Sequence, residues 1–298
     1  MAAPRPNQNR RAVTAWSLYD FANSAFTTLI VTFIYATYFT KGIAENEVEG
    51  TAQWSLAVTC TALLVALLSP YLGAIADRGG YRKRFLLIST LVCIAGSVVL
   101  FFPQRGEVIF ALTVFTVANV AFEMANVFYN AYLPDIARPE QIGRISGYGW
   151  ALGYFGGLLC LVIALFALVD TETPLFGFLT TDGENVRATS LLVAAWYALN
   201  AFPIFIWVKE RPKPAGVKIG GVIRQANRQF VDTFNEIRSQ YRQVFRFLLA
   251  RLVYNDGLIT IFAFGGIYAQ GTFGFTTEDI IIFGIVLNLA AGLGAFGF

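Results

Sequence analysis

The sequence contains no histidine. That absence removes zinc sites of the HExxH kind and Ser-His-Asp triads together. Cysteine is scarce as well. Cys60, Cys93 and Cys160 each stand alone inside an apolar run with no CxxC spacing, so they read as small buried hydrophobes rather than metal ligands or a disulfide framework. Charge is the third shortage. Only 14% of the 298 residues are Asp, Glu, Lys or Arg, while 56% are hydrophobic. A soluble domain carries roughly 25% charged residues because its surface must be wetted. A chain this poor in charge cannot cover a water-facing exterior, so most of its outside faces lipid. The net charge of +3 does not signal nucleic acid, since the basic residues form no patch interleaved with aromatics. Paired-acid metal motifs and nucleophile elbows are missing too, so neither an enzyme nor a cofactor is expected.

What remains is long apolar runs. A bilayer core needs about 20 mostly apolar residues per helix, and eight stretches fit: 14–40, 54–76, 85–102, 108–133, 147–169, 189–208, 247–270 and 279–298. The polar, Arg-bearing start leads into a run too long for a signal peptide and without a small-residue cleavage site, so it is read as the first span. The eighth is still apolar at Phe298, as expected of a sequence cut short. Lys and Arg fall on alternate sides of these runs. Eighteen of the 22 basic residues lie at the N-terminus, at Arg78–Arg84, at Arg138 and Arg144, and between Lys209 and Arg246. The opposite loops hold only Lys41, Arg105 and Arg187, among ten acids. The N-terminus is therefore expected in the cytoplasm. Compact outer loops without an N-x-S/T sequon point to a bacterial inner membrane.

Residues 1–208 form a six-span block, 209–246 a basic cytoplasmic linker, and 247–298 two further spans. Within the linker, Ile223, Phe230, Phe234, Ile237, Tyr241, Val244 and Leu248 recur at helical spacing, describing an amphipathic helix on the inner membrane surface. The first and seventh spans each place a Tyr and an Asp in their cytoplasmic thirds (Tyr19 and Asp20; Tyr254 and Asp256), a weak internal repeat.

Four ionisable residues fall inside spans: Asp20, Glu123, Arg251 and Asp256. A charge near a helix centre costs about 2.5–3.5 kcal/mol on insertion scales, so each needs a partner, a wetted cavity or a route to the interface. Asn119, Glu123, Asn126 and Asn130 share one face of the fourth span. Asp20, Asn23, Ser24 and Thr27 form a similar face on the first. Such stripes line a solute path or glue helices together. After the second span, Gly73, Asp77, Arg78, Gly80, Arg82 and Lys83 combine close helix approach, an acceptor at the membrane edge, a tight turn and inward-holding charge. In the fifth span, Gly149, Gly153 and Gly157 make a small-residue seam of the kind found where two helices touch.

The loop Asp77-Arg78-x-Gly80, with Gly73 before it and Arg82-Lys83 after, resembles the signature loop of the major facilitator superfamily; Tyr81 departs from the basic residue usual there. Trp16–Ser24, Phe128–Pro134 and Gly149–Tyr154 resemble the branch of autophagy-associated vacuolar effluxers. The resemblance implies an all-α membrane protein of twelve helices in two six-helix bundles, working by alternating access, with efflux of amino acids in fungal members. The present chain would supply the first bundle and two helices of the second. In the superfamily the loop Asp, here Asp77, contacts a late helix that this sequence lacks. Tyr154 stands where the antiporter motif has Pro, so direction is not indicated. The expected partners are the lipid bilayer, a small polar solute and protons, handled by Asp20, Glu123 and Asp256 with Arg251 as counter-charge. The rival expectation is a non-transporting remnant or membrane scaffold.

Overall fold

The computed structural model describes residues 10–171, 173–210, 227–228, 231–232 and 234–297. The Arg78 side chain, the end of the linker's Lys209–Pro214 opening, and much of the expected surface helix, Ile223 and Phe230 included, lie outside the described residues. Among the described residues there is no strand, and eight long helical stretches follow one another. They are α1 (Arg10–Ala25), α2 (Glu47–Gly79), α3 (Arg82–Val99), α4 (Val108–Asn130), α5 (Ile142–Ala164), α6 (Glu184–Trp207), α7 (Arg242–Phe273) and α8 (Thr277–Gly297). Beyond Ala25, π-helical turns over Phe26–Phe33 and Phe39–Ile43 carry α1 onward, with a short α-turn, Tyr35–Tyr38, between them.

Local chemistry sets the ends. Asn46 caps α2 by accepting the Glu49 N–H at 2.9 Å, and Glu47 and Glu49 sit where the helix dipole favours acids. The same helix stops at Gly80, whose φ of 64° is open to glycine at no steric cost. Thr276 and Asp279 cap each other's backbone N–H at the start of α8.

By length and apolar character, five helices can cross a membrane: those within Glu47–Asp77, Val108–Ile136, Pro139–Val169, Thr181–Trp207 and Glu278–Ala295. A sixth is added if α7, bent by 54° between Ile261 and Phe264, is counted as one span. The remaining two are less clear-cut for identifiable reasons: π-helical turns interrupt the α1 stretch, and α3 carries Arg82, Lys83 and Arg84 within 18 residues.

The first helix lies at the centre. Ala15, Trp16, Tyr19, Ala22, Phe26, Leu29, Ile30, Ile34 and Tyr35 are all at or below 1% exposure, and they lie on every side of the stretch. It packs against α5 and α6, and its π-helical continuation meets α7. Around it, α3 packs on α4 and α6, α2 on α4, and α8 on α5. Outward faces are apolar, with Leu56, Leu63 and Leu67 on α2 and Ile88 and Leu91 on α3 exposed, as suits contact with lipid. Cys60 departs from the expectation of a buried residue: α2 is peripheral, and the thiol is exposed, while Cys93 and Cys160 are buried.

Candidate transport path

Glycine lets α5 approach α1 closely. A Cβ added at Gly149 would lie 2.5 Å from the Trp16 ring, and one at Gly153 would lie 2.7 Å from Ser24 Oγ and 3.1 Å from Asp20 Oδ2. Gly157 faces the Thr28 hydroxyl, and Gly156, not singled out from the sequence, faces the backbone carbonyl of Phe21. The seam thus seats the polar face of α1, Asp20 included, against bare backbone.

On its other side α1 reaches α4 through long side chains. Asn23 Nδ2 donates to Asn126 Oδ1 at 2.9 Å. Phe26 stacks on Phe122 with centroids 5.1 Å apart, and Trp16 stacks on Tyr129 at 4.5 Å while donating its indole N–H to the Tyr129 carbonyl. These pairings run antiparallel. Asp20 lies three residues to one side of the amide bridge and Glu123 three to the other, so about 9 Å of helix rise separates the two acids along the axis. Both are part-buried, and among the described residues neither meets a cation or a hydrogen-bond donor.

The remaining residues of the two stripes divide. Asn119 is buried at 5% exposure. Thr27 donates back to the Ser24 carbonyl at 3.1 Å. Asn130 is exposed and donates to the Asn126 carbonyl of its own helix at 2.9 Å. Arg251 and Asp256, on the first half of α7, are both exposed and are not brought to the α1–α4 bridge.

A buried hydroxyl cluster adjoins the path and was not singled out from the sequence. The Tyr19 hydroxyl lies 2.7 Å from Thr90 Oγ1 on α3 and 2.8 Å from the Tyr197 hydroxyl on α6. Tyr19 also stacks on Tyr129, at 5.0 Å. The one available signal was the i,i+3 spacing of Trp16 and Tyr19 on α1.

At the α2–α3 turn, Arg82 Nε donates to Asp77, and its Nη1 donates to Asp135 Oδ2 at 2.9 Å and to the Ala131 carbonyl at 3.1 Å. Burial works against this guanidinium's charge, but the hydrogen bond and attraction of Asp77, with Asp135 behind it, hold its pKa above the ordinary value. Lys83 Nζ donates to the Val208 carbonyl at 3.0 Å, tying the turn to the end of α6. Among the described residues, no atom lies within 4 Å of where a Gly73 side chain would stand. Asp135, directly after the Phe128–Pro134 segment, is the partner that sequence reasoning missed.

The family model described as "Vacuole effluxer Atg22 like" matches residues 42–298. An uncharacterized MFS-type transporter of Bacillus subtilis, YxiO, is 28% identical over 93% of this chain and 64% of its own length. Autophagy-related protein 22 of Yarrowia lipolytica is 24% identical over 81% of this chain and 52% of its own. The chain therefore spans between about half and two thirds of these relatives. Among solved structures, the xylose transporter XylE of E. coli, in a partially occluded inward-open conformation, superposes with a TM-score of 0.55 at 14% identity, covering 93% of this chain and 68% of that one. That likeness shows the fold.

Proposed function

The chain belongs to the Atg22-like vacuole effluxer family, and from that premise we propose that it is a secondary transporter moving a small polar, amino-acid-like solute by alternating access. In this reading α1–α6 are a complete first bundle and α7–α8 open a second. The seams between α5 and α8 and between α7 and the Phe26–Phe33 continuation of α1 are then the surfaces on which the bundles move. The N-terminus is cytoplasmic and the membrane a bacterial inner membrane, in keeping with the distribution of Lys and Arg and with the match to a Bacillus protein over 93% of the chain.

One observation carries the proposal: the Asn23–Asn126 bridge has an unneutralised acid on either side of it. A merely structural polar contact needs the amides but not the acids, which are costly to hold in an apolar interior. Asp20 and Glu123 are suited to exchange a proton or hold a charged group of the solute, and the amides to hydrogen-bond it.

Proteoliposomes containing the protein and loaded with labelled amino acids test this. Glu123→Gln and Asp20→Asn should each lower flux at least about tenfold, the rate equivalent of about 1.4 kcal/mol, and Glu123→Gln should abolish its pH dependence. Undiminished, still pH-dependent flux in Glu123→Gln would remove that residue from the mechanism.

A further inference from the structure

Arg187, in the first turn of α6, is only 8% exposed. Among the described residues the ion pairs join Arg82 to Asp77 and Asp135 and Arg228 to Asp232; Arg187 takes part in none of these. Its Nη1 donates to the Pro103 carbonyl at 3.3 Å, and the guanidinium lies 5.7 Å from the centre of the Phe101 ring. Neither contact neutralises its charge, and among the described residues its Nε has no hydrogen-bond partner. Glu184 accepts the Leu179 N–H at 2.9 Å, and Asp182 is exposed, with its backbone carbonyl accepting the Tyr38 hydroxyl.

Two more donors stand unused in the same region. Tyr35 and Trp54 are fully buried, their rings are 6.4 Å apart, and among the described residues neither the Tyr35 hydroxyl nor the Trp54 indole N–H has a partner. Tyr38, which packs on Tyr35 at 6.0 Å, donates its hydroxyl to the Asp182 carbonyl at 3.2 Å and lies against Gly183. The pairs Tyr19–Tyr197 and Tyr38–Asp182 run antiparallel, so Tyr35, one turn deeper, is level with Arg187 on α6. A buried, unpaired charge is expensive, and each unpaired buried donor adds to the penalty. Water would satisfy the donors and leave the charge. An anion satisfies both.

We propose that Arg187, Tyr35 and Trp54 form a buried site for one small anion, a halide or a compact carboxylate, at the end of the bundle opposite the Arg82 turn. The site is separate from the Asp20–Glu123 path and does not depend on the transport reading. Its chemistry is opposite in sign: the path presents acids, this end a cation and two neutral donors.

Thermal unfolding of the detergent-purified protein in sodium chloride, sodium acetate and sodium gluconate at equal ionic strength tests the site. Chloride or acetate should raise the melting temperature saturably above that in bulky gluconate, and Arg187→Gln should lose the increment. A response to chloride alone identifies a halide; a response to acetate as well identifies a carboxylate. Tyr35→Phe removes only the hydroxyl, and Trp54→Phe removes the indole N–H while keeping a smaller aromatic ring. Both leave the charge unchanged, and each should raise the half-saturating concentration about fivefold, the equivalent of one ordinary hydrogen bond. Equal melting of the parent in all three salts overturns the site, as does an undiminished increment in Arg187→Gln. Should Arg187→Gln fail to fold, unchanged half-saturation in both conservative variants overturns it equally.

Discussion

A Cβ placed on Gly156 would run into the backbone carbonyl of Phe21, and Trp196 already donates its indole N–H to that same oxygen at 3.2 Å. No side chain can rotate away to relieve the clash, so α1 and α5 must separate. Gly156→Ala should therefore destabilise by about 1–3 kcal/mol, the usual range for overpacking. Gly143→Ala, where a Cβ meets nothing within 4 Å among the described residues, should melt like the parent. The comparison is a pair of melting curves in detergent. Asn126→Ala removes the cross-helix amide bond and should cost about 0.6–2 kcal/mol of stability; if the amides also meet solute, flux should fall by more than unfolding explains. At this scale the sequence was partly legible. The 3.6-residue period put Asn126 and Asn23 on inward faces. It could not show that Tyr19 meets Thr90 and Tyr197, since the contacts span 71 and 178 residues and a Tyr in an apolar run looks the same whether it faces core or lipid. Gly156 was hidden for a related reason: a regular four-residue spacing drew attention to its neighbours.

Among elements, the α2–α3 turn shows how one cation can fasten three segments. Arg82 and Asp135 have side chains 13% and 15% exposed, whereas Asp77 is half exposed. Arg82→Gln should therefore cost about 2–3 kcal/mol, near the lower bound for breaking a buried pair. Asp77→Asn should cost under about 1 kcal/mol, because water screens that partner. Denaturation of both variants at low and high salt checks the ranking, and raising salt should weaken the Asp77 contribution more than that of Asp135. The turn itself was visible in the sequence through Gly80 and the basic residues that follow. Its partner was not, because Asp135 reaches Arg82 only after α4 has folded back. The π-helical turns beyond Ala25 had no sequence signal, since apolar and β-branched residues read alike at either helical period.

The molecule as a whole is an assembly of apolar helices whose hydrocarbon-length runs announced nearly every element, because lipid imposes a length that water does not. The interior was harder to read. Arg251 and Asp256 had the same credentials as Asp20, an ionisable group in an apolar run, yet the fold leaves both exposed on α7. Only tertiary packing separates the cases. Orientation is testable at this scale. In a background without cysteine, Glu47→Cys and Arg84→Cys, both exposed positions at opposite ends of the bundle, should react with a membrane-impermeant maleimide from opposite sides. Glu47→Cys should label in intact cells and Arg84→Cys only after the cells are opened. The reverse pattern would invert the assigned topology.

The central place of α1 also bears on how the protein meets bilayers of different thickness. At 33 residues, α2 is about 50 Å long, well beyond a hydrocarbon layer of about 30 Å, so it must lean or project. Lying at the rim, it can change its lean as lipids lengthen or shorten. Walled in by protein, α1 has no such freedom. Swapping short-chain for long-chain lipids should thus strain the contacts between rim and centre, α2 against α4 above all, and leave the polar face of α1 undisturbed.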